Sequence, residues 1–163
     1  MKKQEVRLYN MIFPLWLMLW FPPLWIIVLP ANFCIDLLVL WLAMKHAGLE
    51  NRKALCKQAI LKVWLMGFAM DFVGGLCMIL WNILDVTSSE FLMAVNYNPF
   101  THLCGFLWVT FCVALTGVLL YFVNKKFCLK KLDITEQQRH NIALAIAVFT
   151  APYLFYLPTA WFW

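Results

Sequence analysis

The sequence predicts an all-α, polytopic transmembrane helical bundle, organised as a single integral membrane domain over residues 1–163. Three observations carry this. Of the 163 residues, 64% are hydrophobic and only 13% charged, against about 25% charged in ordinary soluble domains. A soluble fold of this size cannot hide so much apolar surface. Several apolar stretches reach the roughly 20 residues that a helix needs to cross about 30 Å of hydrocarbon. The 13 lysines and arginines fall into three clusters, at 2–7, 45–62 and 125–139, as basic flanks of membrane spans do. That confinement also excludes nucleic acid as the reason for the net charge of +5.

The chain opens MKKQEVR and then turns apolar. Prolines 14, 22 and 23 break the run and no A-x-A site follows, so the segment reads as part of the fold and not as a signal peptide. From Met11 to Met44 the run covers 34 residues, about 51 Å as one helix. That is too long for one ordinary crossing and short for two. The basic clusters decide between them. Basic flanks stay cytoplasmic, which places the N-terminus, the 45–62 loop and the 124–140 loop inside, and the lysine-free 85–100 loop and the C-terminus outside. The first run then has to leave and return. We read it as a proline-broken helical hairpin with arms at 9–29 and 33–46 and a turn at Leu29-Pro30-Ala31-Asn32. Asn32 would cap the second arm and Gly48 would stop it. At about 22 Å that arm is short enough to be re-entrant or to thin the bilayer.

Three further spans follow, at 60–84, 101–123 and 141–163. Thr135-Glu136-Gln137-Gln138 resembles a capping box ahead of the last one. Ala143, Ala147 and Ala151 form a small-residue ridge for close packing, and Pro152 would kink that helix. Trp81, Trp161 and Trp163 stand at outer ends, Trp41 and Trp64 near inner ones. Residues 125–134 offer a basic patch toward anionic lipid, although simple topogenic charge explains them better. The expectation is five membrane segments in the cell membrane. The alternative is four, with one long kinked first helix and the N-terminus outside.

Ionisable residues within spans are unfavourable and tend to mark function. Two qualify: Asp36, nine residues before Lys45, and Asp71, nine after Lys62. Each lies about 13 Å from its basic edge, so both belong near the midplane. Prolines 22 and 23 remove the helical donors for the carbonyls of Met18 and Leu19, which count to a similar depth. Thr116 reaches that level, and Thr150 comes close. Carboxylates beside broken-helix carbonyls are how many secondary transporters hold sodium or a proton. Gly67, Asp71, Gly74, Met78, Asn82 and Asp85 share one helix face; with Asn32 they sketch a pathway outward. The expected ion or proton site is therefore Asp36, Asp71, Met18, Leu19 and Thr116, with Asn82, Asp85, Gly74 and Asn32 along the path. The competing structural reading makes the same acids neutral, hydrogen-bonded packing groups.

Enzymatic chemistry has little support. Two membrane aspartates can activate water, but intramembrane aspartyl proteases carry YD and GxGD motifs, and here the sequences are CID at 34–36 and GFAMD at 67–71. His46, His102 and His140 are scattered, the cysteines lack metal spacing, and the serines, Ser88 and Ser89, sit in no nucleophile motif. No cofactor or metal is implied. The expected function is proton- or cation-coupled movement of a small solute, by a transporter-like unit that assembles with itself or with other membrane subunits in the bilayer. The alternative is a non-catalytic scaffold or regulatory subunit of a membrane complex.

Overall fold

The structure is a computed structural model and describes residues 23, 25–84 and 89–161. Met18, Leu19 and Asp85, together with most of the first expected hairpin arm, lie outside the described residues. All regular structure among those described is helical. The main elements are α1 (Trp25–His46), α2 (Arg52–Leu84), α3 (Ser89–Tyr97), α4 (Leu103–Val123) and α5 (Glu136–Phe149), joined and followed by short 3-10 and π turns. By length and composition, α1, α2 and the stretch Leu103–Cys128 are each able to cross a membrane.

The expected hairpin turn does not form. Helix α1 passes straight through Leu29-Pro30-Ala31-Asn32, with Pro30 inside it, and Asn32 sits mid-helix and caps nothing. The physical reason is the solvent. A turn at membrane depth would leave several backbone groups unsatisfied, whereas a proline in a continuing helix removes only one donor. Next to Pro30, the Trp64 indole of α2 donates to the Leu29 carbonyl at 3.0 Å, and the same ring meets Phe33 edge-on. Trp64 is thus committed to joining α1 and α2.

The stop after α1 is as the sequence indicates. Gly48 adopts φ 73°, Leu49 N–H donates to the Met44 carbonyl and Gly48 N–H to that of Lys45. This is a left-handed glycine termination, in which a single turn satisfies two carbonyls at the helix end. The expected 45–62 loop shrinks to five residues, 47–51, because α2 begins at Arg52 and carries Lys53, Lys57 and Lys62 on its first turns. At 33 residues, or about 50 Å, α2 exceeds a hydrocarbon core and must tilt or project beyond it. The 85–100 loop holds a helix that the sequence pattern does not reveal, α3, seated on α4 where Ala94 lies against Gly105.

The last expected span, 141–163, is not one helix. The capping box of Thr135 and Gln138 is present, with both reciprocal bonds, but it starts α5 at Glu136 and α5 ends at Phe149. At 14 residues it covers about 21 Å, too little to cross alone. Beyond it, 150–161 forms an irregular strap with two 3-10 turns, reaching back to α3 through a bond from Thr159 Oγ1 to the Asn96 carbonyl.

Helices α1, α2, α4 and α5 form a ring, α1 touching α2 and α5, and α4 touching α2 and α5. Two cores stack within it. One, at the basic end, joins Leu40, Met44, Val63, Leu129, Ile142 and Ile146 with their neighbours. The other, at the far end, joins Met78, Val95, Val109, Cys112, Val113 and Phe155. Outward faces are apolar, with Ile26, Ile83, Leu103 and Phe127 each about 70% exposed or more, the inverse of a soluble surface and suited to lipid. Arg52 lies over Trp41, Lys125 over Tyr121 and Lys126 over Phe122, at 5.5, 5.7 and 5.6 Å from the ring centres.

Candidate functional site

Between the two cores lies a cavity of about 550 Å³. Helix α1 contributes Asn32 and Asp36, α2 contributes Gly67, Phe68 and Asp71, and the far wall is the last residue of α5, Phe149, with the strap as far as Leu157. Asp36 and Asp71 sit on separate helices whose antiparallel run from the Gly48 turn brings them together.

Gly67 makes this approach possible. A Cβ at that position would stand 3.3 Å from Asp36 Oδ2, closer than most side chains tolerate, so the bare glycine leaves the carboxyl group its place. Asp36 is 6% exposed. Asp71 Oδ1 is buried with no hydrogen-bond partner, and a buried carboxyl oxygen without a donor is unfavourable unless something else occupies the space it faces.

The wall opposite is built by Pro152. Its missing N–H is the one that would bond the Val148 carbonyl and carry α5 onward. Tyr153 supplies a substitute, its hydroxyl donating to Val148 O at 2.6 Å. Tyr153 N–H in turn donates to Ala151 O at 2.7 Å and not to Phe149 O, as a helix would require. Thr150 directs both its N–H and its hydroxyl to the Ile146 carbonyl, at 2.9 and 2.8 Å. Helix α5 therefore ends beside the two acids, and the negative end of its dipole faces the cavity.

The broken-helix feature expected near Pro22 and Pro23 thus has a counterpart at Pro152, where the sequence suggests only a kink. A signal for it is present: Pro152 follows the Thr135 capping box too closely for a full span of about 20 residues to fit between them. Thr116 does not join the cavity lining. It is fully buried in the α2–α4 seam, donates to the Cys112 carbonyl at 2.9 Å, and packs against Gly74, where a Cβ would overlap its hydroxyl and meet the Phe155 ring at 3.0 Å. Gly74 accordingly acts in close packing and does not line the cavity. Asn82 pairs amide to amide with Asn96 of α3, at 2.7 and 3.3 Å, at the far end of α2. Asn32 does line the cavity.

Among the described residues, no three His, Cys, Asp or Glu side chains gather as a metal site, and the described cavity lining includes no Lys, Arg or His. The arrangement can accept positive charge: two carboxyl groups, a helix C-terminus and aromatic faces converge, with no basic group in that lining to neutralise them. Compared with known proteins, the chain matches no family model, no curated protein and no solved structure.

Proposed function

We propose that the protein is a small multi-pass membrane protein that moves a solute in exchange for, or together with, protons or cations held by Asp36 and Asp71. The observation that carries this reading is the meeting of the two acids and the α5 break on one cavity. A broken helix with carboxylates beside it holds an ion in the middle of a bilayer, because the helix end and the acids replace its hydration. A proton serves equally well, since two neighbouring carboxyl groups in a low-dielectric site favour sharing one. With basic flanks on the cytoplasmic side, the cavity lies between the two membrane faces. Assembly with further copies or other subunits would complete a path that so few helices barely enclose.

The test is flux in proteoliposomes. Reconstituted protein under a pH or sodium gradient is expected to dissipate it, and Asp36→Asn or Asp71→Asn is expected to reduce the rate about tenfold or more while leaving the folded protein intact. Parent protein that passes neither ion under any gradient would remove the transport reading and leave the scaffold or regulatory subunit in its place.

A further inference from the structure

We infer that the solute is a lipophilic organic cation, an aromatic or bulky quaternary ammonium or phosphonium type, bound in the cavity with its charge against Asp36 and Asp71. This rests on the transport reading above and names its substrate class. Four observations lead to it.

First, the volume is wrong for a bare ion. About 550 Å³ falls in the range of clefts that enclose drug-sized molecules, roughly 300–1,000 Å³. An ion site would close around its ligand and leave no such space. Second, the walls are mainly hydrocarbon and aromatic. Phe68, Phe149, Tyr153 and Phe155 face the cavity, with Val28 and Ile35 beside them. A strongly hydrated cation gains nothing from such walls, whereas a delocalised or alkylated one gains both apolar burial and ring–cation attraction. Third, the charge is one-sided. Asp36 from α1 and Asp71 from α2 are the ionisable groups of the described lining apart from the Tyr153 hydroxyl, which is engaged with Val148. Asp71 Oδ1 has no donor; the positive charge of a cation would compensate the buried carboxylate without a hydrogen bond, an anion would be repelled, and a neutral apolar molecule would leave it uncompensated. Fourth, the cavity reaches the outer surface of the bundle. Phe149, Tyr153 and Leu154 are 68, 52 and 64% exposed, so the strap side faces the surroundings of the ring, and in a bilayer that is lipid. A lipophilic cation partitions there and would enter sideways.

Full-length protein in detergent should be titrated with tetraphenylphosphonium and, separately, with tetraphenylborate, of matching shape and opposite charge. Saturable binding of the phosphonium alone is expected, accompanied by proton release measured in buffers of different ionisation enthalpy. Asp36→Asn and Asp71→Asn should each weaken it about tenfold or more, and Phe68→Ala should weaken it without altering the proton release per bound cation. Equal binding of both ions would overturn the inference and make the cavity a plain apolar pocket. Aspartate-dependent proton or sodium flux with no phosphonium binding would also overturn it, while leaving the transport reading intact. Aspartate-dependent phosphonium binding without any flux would support the inference and remove the transport reading alone.

Discussion

Tyr153 shows how one hydroxyl can stand in for a main-chain amide. Pro152 withdraws the donor for Val148 O, and the phenol of the next residue restores it. Phenylalanine at this position keeps the ring and deletes the bond. In lipid the carbonyl has no water to turn to, so Tyr153→Phe is expected to lower stability by about 1–3 kcal/mol, read as a fall in detergent melting temperature. An unchanged melting point would show that the carbonyl is solvated. Gly74 makes the opposite demand, for absence of atoms. Because Thr116 is pinned to the Cys112 carbonyl and fully buried, it cannot retreat from a new methyl group. Gly74→Ala is expected to cost about 1–3 kcal/mol through overpacking, with the Phe155 ring displaced as well. A neutral result in the same melting assay would mean that α2 and α4 are less closely engaged than their contact implies.

At the scale of elements, Pro30 and Pro152 have opposite outcomes. The first is carried through an exposed face of α1, and the second ends α5. Pro30→Ala returns a donor to the Ile26 carbonyl and is expected to raise stability by about 1 kcal/mol, the net worth of one hydrogen bond; a hairpin that needed its proline would instead be weakened. Local composition does not separate these two cases. What separates them is the surroundings of each break, which lie partly elsewhere in the fold: Trp64 of α2 beside the first, the adjoining Tyr153 beside the second. For the same reason α3 is hidden in the sequence, since nine residues without a long apolar face look like loop until Gly105 is seen to seat Ala94. Legible from the start are the features that depend on neighbours in the chain, namely the Thr135–Gln138 box, the Gly48 stop and the long apolar helices. Counting from the basic clusters sets Asp36 and Asp71 at one depth, and both line the same cavity. Counting cannot show that Thr116, at that depth too, points into a different seam.

For the molecule as a whole, the clustering of charge sets a testable orientation. In a cysteine-free background, Lys3→Cys and Lys53→Cys are expected to react with an impermeant thiol reagent from the same side of sealed vesicles, and Glu90→Cys from the other. Labelling of positions 3 and 53 from opposite sides would mean that the first apolar run crosses only once. The bundle also contains two cores linked by α2 and α4 and separated, on the α1 side, by a hollow. The half-helix and strap that close this hollow have a biosynthetic consequence. A segment of only 14 helical residues followed by an irregular strap is a poor candidate to partition into lipid by itself. The machinery that inserts the nascent chain must therefore hand it over to α1 and α4 already in place, and the cavity would come into being as the final act of assembly.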